Sequence, residues 1–366
     1  MPDKNTHTPQ SKAGAPLLRI GITQGDANGV GIELILKTFS DTGMFDFCIP
    51  VVYGCAKVVN QHRKALGINL SYRLIPTAAE ATARQLNFIN CSDVEIPVEF
   101  GKQSPDAGHA AFVSLEQAVH DLTAGHIDAL VTAPINKASI QSSNFRFVGH
   151  TEYLQDRTGT TDSEPLMILC NDFMRVSLVT THLPISEVAT AITQEKIEKK
   201  GRLLYQSLRR DFQISAPRIA VLALNPHAGD SGVLGKEEEE IIRPAIQTLS
   251  EEGIACYGPF AADGFFGAEQ YRYFDGILAM YHDQGLAPFK GLAKGSGVNF
   301  TAGLPVVRTS PDHGTAYDIA GKGEANPDSF RQAIYMAIDI YRNRKIYDEA
   351  HANPLPKIYQ ERKERP

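Results

Sequence analysis

The chain has 366 residues, 43% hydrophobic and 21% charged, an ordinary globular composition with length for one large or two medium domains. Its net charge of −6 gives no basic footprint and argues against nucleic acid, while leaving room for a local cationic pocket that takes a small anion. The sequence holds no apolar run of about 18 residues to span a membrane and no signal-peptide core. Its five scattered cysteines lack a CxxC pair, so a reducing, cytoplasmic setting is expected.

Residues 1–15, polar and Pro-rich, read as a disordered tail. Strands and helices then alternate: "LLRIGIT" (17–23) as strand, "VGIELILKTFS" (30–40) as helix, "CIPVVYG" as strand, and "AKVVNQHRKALG" as a helix stopped by Gly67. "LSYRLI" is a strand, 105–125 a long helix, and "IDALVTA" (127–133) a strand. "PLMILC" and "RVSLVTT" suggest a hairpin around Asn171 and Asp172. The next helical stretch, "ISEVATAITQEKIEKKGRLLYQSLRRDF", breaks near Thr193. "RIAVLAL" is a strand and "KEEEEIIRPAIQTLSEEG" a helix with acid in its first turns, where the macrodipole favours it. "DGILAMY" is a strand, and the last helix covers 327–344, before a charged tail. Apolar strands alternating with helices predict an α/β fold on a mostly parallel sheet, with ligands beyond the carboxyl ends of the strands.

Three histidines fall at such ends: His182 after "RVSLVTT", His227 after "RIAVLALNP" and His282 after "GILAMY". Three imidazoles would leave an open position on a Zn²⁺-like ion, and the nearby acids Asp230 and Asp283 could orient the rings. The plainer reading of each alone is a loop or capping histidine. In "GHTEYL", Thr151 reads as a helix N-cap, and an open helix N-terminus there would let His150 and Thr151 meet an anion. "FKGLAKGSGVNFTAGLPVVRTS" sets Lys290, Lys294, Asn299 and Arg308 among glycines, with Arg308 read as ending the strand "LPVVR". Cations converging there suit an anionic substrate, although loop lysines are commonly only solvated. GxGxxG and P-loop spacings are absent, but "ITQGDANGVGIE" and "DHGTAYDIAGKGEANP" are glycine-rich. Pattern alone leads to a phosphate- or nucleotide-tolerant α/β enzyme with a three-histidine metal.

The stretches "ITQGDANGVGIE", "TAPINK", "GHTEYL", "TTHLP", "LNPHAGD", "AMYHDQGLAPFK" and "GVNFTAGLPVVRTSPDHGTAYDIAGKG", in this order, resemble the 4-hydroxythreonine-4-phosphate dehydrogenase family of pyridoxal phosphate biosynthesis over roughly residues 17–345. "HGTAYDIAGKGEANP" is also similar to the cofactor loop of isopropylmalate and isocitrate dehydrogenases. The resemblance implies a two-domain isopropylmalate-dehydrogenase-like α/β fold with a cleft. A cofactor-side domain would hold 16–135 plus 305–345, a metal, substrate and dimerisation domain 136–304, and a charged tail 346–366. It implies a divalent metal (Zn²⁺ first, Mg²⁺ or Co²⁺ as alternatives) on His182, His227 and His282, the last supplied by the other subunit of a homodimer. It implies substrate contacts from His150, Thr151, Lys290, Asn299 and Arg308, and NAD or NADP contacts from His313, Gly314 and Thr315. The reaction implied is oxidation and decarboxylation of a small phosphorylated hydroxy acid, 4-phosphohydroxy-L-threonine, with Lys137, Lys290 and Asp263 as base candidates. This sequence departs from the usual pattern at Asn28 and Ile32, around the first glycine loop. A sister branch acts on threonate or erythronate 4-phosphate. Rival readings are a metal-dependent phosphate-ester hydrolase and a dimer merely stapled by metal.

Overall fold

The computed structural model describes residues 16–142, 145–159 and 164–354; the expected N-terminal tail and the end of the C-terminal one lie outside them. The elements run β1 (Leu18–Thr23), α1 (Gly31–Phe39), β2 (Cys48–Gly54), α2 (Ala56–Leu66), β3 (Tyr72–Leu74), β4 (Leu86–Asn90), α3 (Pro105–Thr123), β5 (Ala129–Thr132) and α4 (His150–Thr158). There follow β6 (Leu166–Cys170), β7 (Arg175–Leu178), α5 (Ile185–Ala191), α6 (Gln194–Arg210), β8 (Arg218–Leu222), α7 (Arg243–Glu251), β9 (Ala255–Phe260) and α8 (Ala262–Gly267). The chain closes with β10 (Gly276–Ala279), α9 (His282–Ala293), β11 (Val298–Ala302), β12 (Arg308–Pro311) and α10 (Asp328–His351).

Every residue of β5 and β10 is buried, as strands covered by helices on both faces require. The twelve strands form one sheet in the order β3-β4-β2-β1-β5-β12-β11-β6-β7-β10-β8-β9. The ladders are parallel except at β12-β11, β11-β6 and β6-β7, so the mostly parallel α/β expectation holds. The strands from Leu18 to Thr132, joined by β12, fill one half; those from Leu166 to Ala302 fill the other. The chain therefore crosses back through the short segment 303–307. Helix α10 packs on β12, β11 and β5 and so spans that junction. No helix among the described residues is long and apolar enough to cross a membrane.

Local chemistry explains most boundaries. Ser104 caps α3 by accepting from the Ala107 N–H, and Pro105 fills the first turn, where its missing N–H costs nothing. The expected break at Thr193 is present: α5 ends at Ala191, and the Thr193 hydroxyl accepts from Lys196 N to start α6. The hairpin around Asn171 and Asp172 is the antiparallel β6-β7 pair.

Four expectations need correction. Gly149, not Thr151, is the N-cap of α4, so His150 is its first residue; no side chain caps this end. Lys290 lies in α9, not on a loop; Gly285, Pro288 and Gly291 hide that helix from a pattern reading. Arg308 opens β12 and does not end a strand, because Gly303 turns the chain at φ 79° and Pro305 lacks an N–H for a ladder. Helix α10 continues to His351, beyond 344, held by an Arg210–Asp348 ion pair of 2.6 Å and by Tyr347 stacked on His351.

Candidate active site

Within the sheet, at the start of β12, Arg308 stands between β5, which carries Thr132, and β11, which carries Thr301. Its Nε and Nη2 donate to Thr132 Oγ1 at 2.9 and 2.6 Å, and its Nη1 donates to Thr301 Oγ1 at 3.2 Å. Nη2 also lies 3.2 Å from His150 Nδ1. The residue is 3% exposed, and among the described residues no carboxylate stands within ion-pair distance. Burial pushes its pKa down to about 10, with Glu152 opposing weakly from a distance. His150 is held well below its ordinary value of 6.5, first by burial and then by the Arg308 and Lys137 cations. Its Nε2 is buried without a partner, and so is Oδ1 of Asn299. Asn299 stands two residues before Thr301 on β11, on the same face. A buried cation and orphaned buried polar atoms are costly unless something completes them. An anionic ligand would do so.

Lys137 reaches this region from the "TAPINK" loop. Asn136 Oδ1 accepts from the N–H groups of Ala138 and Ser139 and so shapes the turn. Helix α3 packs directly on this turn at Gly108, where any Cβ would collide with the Ser139 carbonyl. Lys137 Cε and Glu152 Oε2 both approach Gly149, at 3.8 and 3.6 Å from where a Cβ would stand. The His182 pKa is lowered, first by partial shielding from water and then by Lys137, with His282 adding to the effect and Glu152 opposing it.

His182 and His282 face each other within one chain, ring centroids 6.1 Å apart. His282 Nδ1 lies 2.6 Å from Asp283 Oδ1, which leaves Nε2 outward as a potential ligand atom. The two rings line a cleft of ≈ 340 Å³ with Thr181, Ile185, Tyr281 and Asp283. His227 lies apart, in a run from His227 to Ser231 with left-handed backbone angles throughout. Glu238 braces that run, accepting from Leu224 N and Asn225 N at 2.8 and 2.7 Å. Burial works to raise the Glu238 pKa, but its hydrogen bonds from Asn225 and the backbone outweigh this and hold it low. Among the described residues no three His, Cys, Asp or Glu side chains of one chain are grouped to hold a metal. As donors the His182–His282 pair fits a borderline-soft divalent ion: both are imidazoles, and one carries an orienting carboxylate.

The two glycine-rich stretches meet. Asp26 N donates to Pro134 O, Val30 N to Thr315 O at 3.0 Å, and the Tyr317 hydroxyl to Asp26 Oδ2 at 2.9 Å. Gly25, at φ 71°, brings its backbone against Pro134, where a Cβ would stand 2.5 Å from the carbonyl oxygen. Gly314 opens onto free space, and the His313 ring bonds the Gly314 carbonyl at 3.0 Å. A nicotinamide cofactor fits a loop of this kind, where backbone is accessible without side chains in the way.

Of the expected residues, the structure joins His150 to Arg308 and His182 to His282, with Lys137 near enough to lower the pKa of both His150 and His182 and with Asn299 on the strand beside Arg308. Thr151 follows His150 in the first turn of α4. Lys290 and Asp263 are exposed on α9 and α8, and no contact ties either to the Arg308 cluster among the described residues. Thr132, Thr301, Glu152, Asp26 and Tyr317 were not anticipated. The sequence signals for Thr132 are its place at the end of a buried strand and its position as the first residue of "TAPINK".

A parallel-rich sheet with an unpaired buried arginine and facing imidazoles beyond its strands defines an α/β enzyme for an anionic substrate. The family model described as "Pyridoxal phosphate biosynthetic protein PdxA" matches residues 46–337. A protein of Bacteroides thetaiotaomicron named 4-hydroxythreonine-4-phosphate dehydrogenase is 58% identical over 347 residues, 95% of each chain. One from Oceanobacillus iheyensis, named "Putative D-threonate 4-phosphate dehydrogenase", is 40% identical over 325 residues, 88% of this chain and 97% of that one. A crystal structure of 4-hydroxythreonine-4-phosphate dehydrogenase from Klebsiella pneumoniae matches with a TM-score of 0.76 and 34% identity, covering 88% of this chain and 99% of that one. The chain belongs to the PdxA family of pyridoxal phosphate biosynthetic proteins. It is an oxidoreductase of the dehydrogenase class, and that class implies a nicotinamide cofactor.

Proposed function

We propose that the chain oxidises 4-phosphohydroxy-L-threonine with NAD or NADP and that the resulting β-keto acid loses CO₂, giving 3-amino-2-oxopropyl phosphate. The observation that carries this reading is the buried Arg308 guanidinium with no carboxylate partner, beside the orphaned His150 Nε2 and Asn299 Oδ1. Removing an ion from water costs several kcal/mol, an expense that an incoming substrate anion offsets. Arg308, His150 and Asn299 would form the core of the substrate site, with Thr151 beside His150; Lys290, exposed on α9 and untied to this cluster among the described residues, would be its outermost member.

The oxidation moves a hydride from the carbon bearing the secondary hydroxyl to the nicotinamide, and the hydroxyl proton to a base. The new carbonyl stands β to the carboxylate, so CO₂ departs and its bonding pair passes into an enolate that is then protonated. Lys137 is the base we favour, since the Asn136 turn fixes its loop and its side chain reaches Gly149, next to His150. Asp263 is the second candidate, exposed in the first turn of α8. His182, His227 and His282 would hold the divalent ion, whose Lewis acidity lowers the hydroxyl pKa when it is bound; Zn²⁺ suits imidazoles best, with Mg²⁺ or Co²⁺ as alternatives. His313, Gly314 and Thr315 would contact the cofactor.

A homodimer in which His282 completes the other copy's metal site is part of this reading. It is supported by the apolar surface beside the histidine-bearing segments, where Ile185 is 72% and Val233 78% exposed. We assign the sheet half of β1–β5 plus β12 to the cofactor and the other half to metal and dimerisation, with the substrate at their junction, between Arg308 of β12 and Asn299 of β11. A second reading is oxidation of threonate or erythronate 4-phosphate; the name of the Oceanobacillus iheyensis relative supports the threonate form.

The test is NAD reduction with 4-phosphohydroxythreonine, threonate 4-phosphate and erythronate 4-phosphate under varied metals. Fastest turnover of the first is expected. Preference for either sugar acid moves the assignment to the second reading. Phosphate release without NADH would favour a hydrolase and sink both.

A further inference from the structure

We infer that Thr132 and Thr301 are positioning residues: their neutral hydroxyls hold the Arg308 guanidinium and, through it, fix His150 as the tautomer that donates from Nε2 to the substrate's anionic group. This rests on the reading of the Arg308 pocket as the anion site.

A guanidinium has five N–H donors and no acceptor. Arg308 spends four of them internally: Nε and Nη2 on Thr132 Oγ1, Nη1 on Thr301 Oγ1 and the second Nη2 hydrogen on His150 Nδ1. Because arginine can only donate, His150 Nδ1 must accept. A neutral imidazole that accepts at Nδ1 carries its proton on Nε2. That nitrogen is the buried one without a partner. The pocket therefore presents an imidazole N–H, one remaining guanidinium N–H and a full positive charge.

The choice of holder decides how much of that charge reaches the ligand. The same chain fixes another buried arginine, Arg344, with a carboxylate, Asp211 Oδ1, at 2.6 Å. A carboxylate beside Arg308 would orient it equally well and cancel its charge. Two threonines orient it and cancel nothing. They also stand on opposite sides of β12, one on β5 and one on β11, so the guanidinium direction depends on the register of both sheet halves.

The test uses the full chain and inorganic phosphate as probe. In the unmodified protein, ¹⁵N NMR of the His150 ring should show the Nε2–H tautomer; an Nδ1–H ring overturns the inference whatever the variants do. Thr132→Val should give a mixed His150 tautomer and weaken phosphate binding about tenfold by calorimetry, while Thr132→Ser stays within about twofold of the parent. Thr301→Val, which removes one longer bond, should have a smaller effect in the same direction and serves if Thr132→Val does not fold. Unchanged tautomer and phosphate affinity in the folded valine variants overturn the positioning role. Arg308→Gln separates the two levels. If it alone loses phosphate, only the positioning role falls; if it too binds phosphate normally, the anion-site reading falls with it.

Discussion

Arg344 on α10 donates from Nε to Asp211 Oδ1 at 2.6 Å, just past the end of α6, and from Nη1 to the carbonyls of Leu304 and Val306 at 3.0 Å. One buried side chain thus ties a helix of each sheet half to the crossover that delivers Arg308. Ser207 completes the set by donating to the other Asp211 oxygen. Removing one partner of a buried pair strands the other, so Arg344→Ala should cost about 3–5 kcal/mol in urea unfolding. Because two carbonyls before Arg308 are released as well, KM for the acid substrate should rise in the surviving protein. A loss below 1 kcal/mol would show the pair to be solvated.

The lowered His150 pKa sets a direction for acid stability. The unfolded chain takes up a proton near the ordinary value of 6.5, while the folded one resists it because of burial, Arg308 and Lys137. This group's contribution is therefore fully present above about pH 6.5 and falls as pH drops from there toward the depressed folded value. His150→Gln, which cannot titrate, should lose less stability between pH 7.5 and pH 5 than the parent, measured by urea midpoints at both values. An equal or larger acid loss in the variant would contradict the buried neutral ring.

For the metal histidines, His182→Ala and His282→Ala should each lower bound zinc and abolish NADH formation. Mixing the two inactive variants should recover activity approaching half a site per dimer, if His282 serves the other subunit. Proven subunit exchange without recovery would instead place both imidazoles in one chain's site, where their 6.1 Å ring separation already brings them together.

Tyr317 holds the two glycine-rich loops together through Asp26, whose pKa burial raises while hydrogen bonds from Asn28, Tyr317 and Gly29 oppose the change. Tyr317→Phe strands one carboxylate oxygen and should cost about 1–3 kcal/mol. It should also raise KM for NAD more than KM for the acid substrate. Equal changes in both would mean that these loops do not form the cofactor side.

Much of the fold could be read from the chain because its strands are short apolar runs separated by amphipathic helices. The Thr193 break was equally plain, since threonine at that spacing caps a helix. The rest was hidden by residues that act against their type. Gly285, Pro288 and Gly291 mask α9, whose buried Leu286 and Phe289 secure it by packing. Gly149 supplies the start of α4 with an extended backbone, leaving Thr151 a cap by composition only. In the site, charged and aromatic residues stood out in the sequence, but Thr132 and Thr301 did not. Their importance depends on β12 lying between β5 and β11, and the β5–β12 pairing joins segments far apart in the chain.

The position of β12 has a consequence for how the protein is made. On a ribosome, β1 to β5 emerge first, yet the open side of β5 stays unpaired until Arg308–Pro311 arrives, after the whole other half of the sheet has been synthesised. A nascent chain arrested near residue 200 would carry that bare edge, a template for association with other chains. Protease sensitivity of arrested chains should accordingly drop only once β12 and α10 have cleared the exit tunnel, making the last fifth of the sequence the step that closes the first third.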